Sequence, residues 1–209
     1  MDIEAGLNKL NSLLPLKARQ DSLSPELKAL HQNILRNFAN KGQALEVEEH
    51  DLDMQQQLEA LNKADLVVLD EETKALTGAY PFSIEKKAHH ITLENAELYA
   101  MCAFDAISIA PVFAVSTKIS SNCHVTKEPV EIEQDANGVI SAKPSKDIYI
   151  GIKWQSTGSH AAESLCMEMV FLKDKATAEK WQGDNENIDI YPLEKAIEFG
   201  TKYFKPLID

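Results

Sequence analysis

LYAMCAFD, the sequence of residues 98–105, places a thiol at Cys102 and a carboxyl group at Asp105, three positions apart. The surrounding residues predict a helix from about residue 94 to residue 109, which Pro111 then breaks or kinks. Positions i and i+3 lie on one face of a helix, so the thiol and the carboxyl group could converge on one ligand. This segment therefore predicts both a core helix and a candidate site.

Short apolar segments lie on both sides of this helix, and turn residues separate them. The predicted strands cover residues 90–93, 112–119, 130–133, 139–141, 148–154 and 166–172. Two more helices are predicted at residues 177–181 and 192–204. This order of elements is typical of an α+β fold that has a mixed or antiparallel sheet as its core and helices at its flanks.

The N-terminal part of the chain carries helical patterns followed by a strand hairpin. The helices are predicted before Pro15, between Ser24 and Gly42, and at residues 51–63, and the hairpin strands at residues 66–69 and 75–82. Helices followed by a hairpin resemble a winged helix-turn-helix. We therefore predict a winged-helix-like module in residues 1–83 and a second domain in residues 84–209, with residues 81–87 as a linker.

The charge of the chain argues against nucleic acid as a partner. The formal net charge is −12, and such a surface repels phosphate backbones and anionic lipid heads. The helix of the module that would read DNA begins DLDMQQQ at residues 51–57, which offers no basic side chain to a phosphate. A structural role for the module is the better prediction.

The sequence also predicts a cytoplasmic protein that does not interact with membranes. No apolar run approaches the roughly 20 residues of a membrane helix, and the longest candidate, residues 107–115, contains Pro111. The acidic start of the chain does not resemble a secretory signal. Three cysteines, an odd number, fit a reducing compartment better than a set of disulfides.

The Cys102–Asp105 pair would suit a soft cation. A carboxylate beside a thiol raises the pKa of the thiol, which alone is unfavourable for nucleophilic attack. Thiolates are preferred ligands of soft metals, and a carboxyl group could then store or donate a proton. By itself the pair is weak evidence, because a cysteine in an apolar helix is more often a small core residue.

Three segments together resemble the organomercurial (alkylmercury) lyase family. They are YAMCAFD at residues 99–105, SSNC at residues 120–123 and SLC at residues 164–166. They match the family's Tyr-Ala-x-Cys-Ala-x-Asp helix, its Ser-Ser-x-Cys element and its third cysteine within an apolar strand. The resemblance is closest over residues 84–172. Before that it concerns only the architecture, since the family also has a helical, winged-helix-like N-terminal module.

The resemblance implies a role for each matching residue. Cys102 and Cys166 correspond to the two catalytic cysteines, Asp105 to the catalytic acid, and Cys123 to a structural cysteine. The implied reaction is protonolysis of the carbon–mercury bond of R–Hg⁺, which gives R–H and Hg²⁺. Cys102, Cys166 and Asp105 would hold the Hg²⁺ product.

The resemblance also implies which other molecules take part. The substrate would be a small organomercurial, and no organic cofactor is expected. Low-molecular-weight thiols are expected to support turnover by removing Hg²⁺, and a mercuric reductase could receive it. The resemblance leaves open whether alkyl or aryl mercurials are preferred.

Other functions remain as alternatives. The chain could be a non-catalytic thiolate metal-binding protein or chaperone, although sequestration needs no acid such as Asp105. It could also be a metal-responsive winged-helix regulator, although its charge argues against DNA binding. His89 and His90 could bind a metal, but adjacent histidines cannot point the same way on a strand. Cys123–His124 together with Cys102 lacks the spacing of a zinc site, and Ser159–His160 lacks the context of a catalytic serine.

Overall fold

Antiparallel sheets form the framework of the fold. In a computed structural model, which describes residues 2–45, 51–156 and 161–209, the helices are α1 (Ile3–Leu13), α2 (Leu16–Asp21), α3 (Pro25–Lys41), α4 (Leu52–Lys63), α5 (Ala103–Phe113), α6 (Lys175–Gln182) and α7 (Leu193–Phe204). The strands are β1 (Val67–Leu69), β2 (Leu76–Ala79), β3 (Phe82–Ser83), β4 (His89–Thr92), β5 (Glu97–Ala100), β6 (Thr117–Asn122), β7 (Pro129–Asp135), β8 (Gly138–Lys143), β9 (Tyr149–Lys153), β10 (Met169–Leu172) and β11 (Ile188–Pro192).

The strands of the described residues form two sheets. The larger sheet has the order β1-β2-β3-β5-β4-β6-β7-β8, and the smaller one has the order β10-β9-β11. Each of these pairings is antiparallel. The predicted α+β class is therefore confirmed, in the antiparallel form of the sheet. No helix in the described residues has the length and apolar character that a membrane crossing requires.

Local signals determine the N-terminal helices, as predicted. Ser24 caps α3, because its Oγ accepts a hydrogen bond from the backbone N–H of Leu27 at 3.3 Å. Gly42 ends the same helix in the left-handed conformation, with φ of 63°. Asp51 caps α4 through a hydrogen bond of 3.0 Å from the N–H of Met54.

The predicted hairpin forms, but it is part of the large sheet. Val67 pairs with Ala79 in the β1–β2 hairpin, and β2 then pairs with β3. Residues 82–83 were predicted within a linker, and this prediction is wrong, because Phe82 is fully buried and pairs with Ala100 of β5. The large sheet thus includes strands from both sides of residue 83, and the division into two domains there stays a prediction.

The predicted helix around Cys102 begins later than expected. Residues 97–100 form β5 between β3 and β4, and only from Ala103 is the chain helical. Glu97 is exposed whereas Leu98 and Ala100 are buried, which is the alternation of a strand. Pairing with β3 and β4 outweighs the helical preference of residues 97–100.

Pro111 lies inside α5 and does not end it. Proline has no N–H to donate to the carbonyl of Ile107, four residues earlier. The side-chain amide of Gln134, on β7, donates to that carbonyl at 3.2 Å instead. Helix α5 consequently continues to Phe113, so the strand predicted from residue 112 begins only at Thr117.

The segment that carries Cys166 also differs from the prediction of a strand over residues 166–172. Cys166 lies in a short 3₁₀ turn, Leu165–Glu168, and strand β10 starts at Met169. Strand β11 was not predicted; it pairs with β9 along Ile188–Pro192. The C-terminal helix α7 was predicted, and it packs against α5.

Helix α5 is buried on all sides, which is consistent with its continuous apolar sequence. Phe104 meets Phe199 of α7 with ring centroids 4.8 Å apart. Gly200 of α7 lies against Ser108, so a Cβ at residue 200 would overlap the serine hydroxyl. The close crossing of these two helices fixes the beginning of α5, where the candidate site lies.

Candidate active site

Cys102 lies at the corner between β5 and α5. It is the N-cap of α5, with φ of −150°, and its Sγ accepts a hydrogen bond from the backbone N–H of Asp105 at 3.3 Å. The thiol and the carboxyl group are therefore adjacent, as the spacing predicted. The reason is a cap interaction, however, and not a shared face within a continuous helix.

Asp105 is a buried acid in the first turn of α5. Burial raises its pKa from 3.8 to about 7, although hydrogen bonds with Cys102 lower it. Its Oδ2 atom has no hydrogen-bond partner among the described residues. A carboxyl group with a pKa near neutrality can both accept and donate a proton, and here one oxygen is left available for a ligand.

Cys166 completes the cluster from a distant part of the chain. The Sγ atoms of Cys102 and Cys166 and a carboxylate oxygen of Asp105 all lie within 4.8 Å of one another. Two thiolates that share one mercury ion must lie within roughly 4–5 Å of each other, because soft metals form short bonds to thiolates. The three side chains are buried, and within the described part of the chain they are the one convergent set of three metal-ligating groups.

The two thiols influence each other's ionisation. Burial, the hydrogen bond with Cys166 and the charge of Asp105 hold the pKa of Cys102 well above its ordinary value. The hydrogen bond from Cys102 lowers the pKa of Cys166, but burial and the nearby carboxylates outweigh it, so this pKa is also raised. The ionisation of each thiol therefore depends on the other, and both pKa values lie above the ordinary range.

A third sulfur lies beside the pair. The thiol of Cys102 contacts the Sδ atom of Met169 at 3.7 Å, and Met169 is buried at the start of β10. A thioether is a soft and polarisable group. The surroundings of the thiols are thus suited to a soft metal ion.

Buried hydrogen bonds hold the segment that precedes Cys166. The Tyr80 hydroxyl donates to Oδ1 of Asp65 at 2.9 Å and accepts from the N–H of Ala162 at 3.0 Å. Oδ2 of Asp65 binds Arg19 at 2.8 Å and accepts from the N–H of Ala161 at 3.4 Å. Burial raises the pKa of Tyr80, so the phenol stays protonated and can donate.

These positioning residues were missed by the sequence reasoning. Asp65 follows α4 with a positive φ of 51°, a conformation in which Asp is enriched. That signal concerns only the local backbone, however. Nothing in the sequence relates Asp65 or Tyr80 to residues 161–162, because the contact spans more than eighty positions.

A cavity of about 780 Å³ leads to the cluster, and Cys166 is on its wall. Its inner wall is apolar and includes Met101, Met169 and Phe171. Phe171 is fully buried and contributes apolar surface to this wall. Phe104, in the first turn of α5, packs against α7 and does not line the cavity.

Cys123 also lines this cavity, although it does not belong to the convergent set. Burial opposes ionisation of its thiol, but hydrogen bonds from Thr126 and nearby backbone groups outweigh burial and lower its pKa. Its backbone N–H donates to the carbonyl of Glu128 at 2.8 Å, which closes the loop after β6. Its structural role stays a prediction.

The remaining candidate histidines do not converge on a common ligand. His89 is hydrogen-bonded to Ser121 at 2.8 Å, whereas His90 lies 3.5 Å from Glu97, so the two imidazoles have different partners. Ser159 and His160 lie outside the described residues.

Comparisons with known proteins agree with the resemblance of the sequence. The family model for alkylmercury lyase (MerB) matches residues 82–205. The alkylmercury lyase of Bacillus cereus is 29% identical over 112 residues, which are 54% of this chain and 51% of the relative. The alkylmercury lyase of Staphylococcus epidermidis is 24% identical over 134 residues, which are 64% of this chain and 61% of the relative. The chain thus spans about half the length of the first of these curated relatives.

A solved structure shares the fold. The crystal structure of the mercury-bound form of MerB2 superimposes with a TM-score of 0.73. The match covers 93% of this chain and 98% of that one, at 22% sequence identity. The likeness therefore extends beyond the segment that matches the family, into the N-terminal helices.

Proposed function

The chain belongs to the alkylmercury lyase family, and from this premise we propose that it cleaves carbon–mercury bonds, converting R–Hg⁺ into R–H and Hg²⁺. The observation that carries the proposal is the convergence of two thiols and a carboxyl group within 4.8 Å, next to a cavity. Each group has a task in the reaction, and none needs an organic cofactor.

The first step is capture of the mercurial by a thiol. An organomercurial carried by a small thiol, R–Hg–SR′, enters the cavity and meets Cys166 on its wall. The Sγ atom of Cys166 forms a bond to mercury while the bond from mercury to the carrier sulfur breaks. The proton of the Cys166 thiol leaves with the carrier as R′–SH, and Asp105 can transfer it because its pKa is about 7.

The second step breaks the carbon–mercury bond. Cys102 adds its sulfur to mercury, which raises the electron density on the metal and weakens its bond to carbon. The proton of the Cys102 thiol passes through Asp105 to that carbon, and R–H leaves. Asp105 thus returns to its starting protonation state, while Hg²⁺ stays bound to two sulfurs.

Burial of the cluster supports both steps. The protonated form of Asp105 persists near neutral pH only because the acid is desolvated. An apolar inner wall also keeps bulk water away from the mercury–carbon bond during proton transfer. The same burial would trap the product, so two external thiols must remove Hg²⁺ as a dithiolate and restore both protein thiols.

The partners follow from this chemistry. We expect a small organomercurial as substrate, low-molecular-weight thiols as carriers, and a mercuric reductase as a recipient of Hg²⁺. We also expect a cytoplasmic location, because the mechanism requires the thiols of Cys102 and Cys166 to stay reduced.

The test is hydrocarbon release by the purified protein. Phenylmercury is supplied with excess thiol, and benzene is measured against a control that contains thiol alone. Cys102→Ser and Cys166→Ser should each abolish turnover, whereas Cys123→Ser, the matched control, should retain it. Benzene no higher than in the thiol-only control would overturn the proposal, and full activity of Cys166→Ser would exclude the two-thiol mechanism.

A non-catalytic carrier of soft metal ions is the second candidate. The Met169 thioether beside Cys102 favours it, because sulfur ligands alone suffice for sequestration. Such a protein would bind Hg²⁺ or Cu⁺ tightly and release no hydrocarbon. The benzene assay therefore separates the two functions.

A further inference from the structure

The mouth of the cavity is basic, in contrast to the rest of the chain. Three lysines line it, Lys86, Lys87 and Lys127, and among the described residues no aspartate or glutamate does. The whole chain carries 33 acidic and 21 basic side chains. The lining of the mouth is therefore positively charged, whereas the chain as a whole is negatively charged.

Of this positive charge, the neighbouring acids compensate only that of Lys87, because the other two acids are paired with lysines outside the lining. Glu85 binds Lys87 at 2.8 Å, Glu128 binds Lys173, and Glu168 binds Lys153 at 3.4 Å. Lys86 and Lys127 make no ion pair with any described residue, so two positive charges at the mouth are uncompensated.

The cavity therefore has two chemically different ends. Cys166, Met169 and Phe171 are buried at its inner end, whereas Lys86 and Lys127 are exposed. An R–Hg–SR′ adduct that reaches the cysteines must place its mercury at the inner end. The thiol being displaced then faces the lysines.

Resting on the proposed function, we infer that the physiological substrate is the mercury adduct of an anionic small thiol, whose carboxylates bind at Lys86 and Lys127. Soft mercury ions in a reducing solution are carried by thiolates, so the carrier is part of what the protein recognises. A positive mouth on a chain of net charge −12 raises the local concentration of an anionic adduct that the remaining surface would repel.

The step at this site is the exchange already described, and it balances without a further reactant. The bond from mercury to the carrier sulfur breaks, the bond to Cys166 forms, and the carrier leaves as R′–SH. The lysines take no part in bond making. They hold the carboxylates of the carrier, and after the reaction they can bind the two anionic thiols that remove Hg²⁺.

The experiment compares carriers of different charge. Phenylmercury is supplied as its adduct with mercaptosuccinate, which is anionic, with 2-mercaptoethanol, which is neutral, or with cysteamine, which is cationic. Rapid desalting followed by mercury determination gives the rate at which the protein is loaded, independently of benzene formation. The quantity compared is the ratio of the loading rates for the anionic and neutral carriers. Differences in intrinsic reactivity between the carrier thiols affect every protein equally, so they cancel when this ratio is compared between the unmodified protein and its variants.

Two double variants provide the contrast. In Lys86→Gln/Lys127→Gln the ratio should fall by about five- to tenfold, because steering by charge is lost. In Lys146→Gln/Lys180→Gln, which removes the same charge from exposed lysines that do not line the cavity, the ratio should be unchanged. At about 1 M of a chloride-free salt, where the Debye length is about 3 Å, the ratio of the unmodified protein should approach that of the first variant.

Each other outcome counts against the inference. Equal ratios in the two double variants would overturn it, and so would failure of every adduct to load. If p-carboxyphenylmercury on 2-mercaptoethanol is favoured as strongly as the mercaptosuccinate adduct, the lysines recognise the organic group and not the carrier. Loading with the expected ratio but without benzene would refute the proposed lyase function and leave the recognition of anionic carriers intact.

Discussion

The buried carboxyl group of Asp105 should make the stability of the protein depend on pH. Its pKa is about 7 in the folded protein against an ordinary value of 3.8, so the folded state binds the proton more tightly than the unfolded chain does. The resulting stabilisation is fully present below 3.8 and is lost as the pH rises through about 7. Asp105→Asn removes the titration while it keeps the shape of the side chain.

The size of the effect follows from the two pKa values. At about 1.4 kcal/mol for each pKa unit, raising the pH from about 5 to about 7.5 should cost the unmodified protein about 2 to 3 kcal/mol relative to Asp105→Asn. The buried histidines His31 and His89 titrate in both proteins, so their contributions cancel in the comparison.

Urea unfolding of the reduced, metal-free proteins at the two pH values measures this difference, with Trp154 and Trp181 as fluorescent reporters. Asp184→Asn, at an exposed position, is the control and should follow the unmodified protein at both pH values. A stability difference between the unmodified protein and Asp105→Asn that stays constant with pH would refute the reasoning. The acid would then not be held protonated by burial, and the proton transfer proposed for it would lose its basis.

Two further predictions concern the supports of the site. Tyr80→Phe should destabilise the protein by about 1 to 3 kcal/mol and speed chemical labelling of Cys166, because Asp65 and the N–H of Ala162 lose a buried hydrogen-bond partner. The control is Tyr191→Phe, since the Tyr191 hydroxyl is buried without a hydrogen-bond partner among the described residues. Equal effects of the two substitutions in calorimetry and labelling would contradict the role of Tyr80. Gly200→Ala should lower the melting temperature and reduce the free energy of unfolding by about 1 to 3 kcal/mol, because the added methyl group overlaps Ser108, although alanine is the better helix former. An unchanged or raised melting temperature would show that α5 and α7 can separate freely.

Local signals made the N-terminal helices predictable. The cap at Ser24 and the stop at Gly42 act within one turn of the residues that they affect, so a window of sequence contains the whole cause. The helix around Cys102 was predicted with its start in the wrong place because the cause lies elsewhere. Residues 97–100 become a strand by pairing with β3 and β4.

Pro111 is a second case in which a distant part of the chain overrides a local signal. Its sequence context predicts a helix end, and the local chemistry justifies that prediction. The carbonyl that proline leaves without a partner is satisfied by Gln134, twenty-seven residues from Ile107. A side chain that arrives through the fold removes the penalty that the sequence alone would assign.

By itself, the sequence predicted that Cys102 and Asp105 are adjacent, because residues three positions apart share one face of a helix. Together with its family resemblance, it also identified Cys166 as their partner. Only the tertiary structure decided that Cys102 caps α5, that the third group lies within 4.8 Å, and that a cavity with a basic mouth reaches them. The physical reason is desolvation: the pKa of Asp105 rises because distant elements exclude water from it, and no local pattern of residues encodes that exclusion.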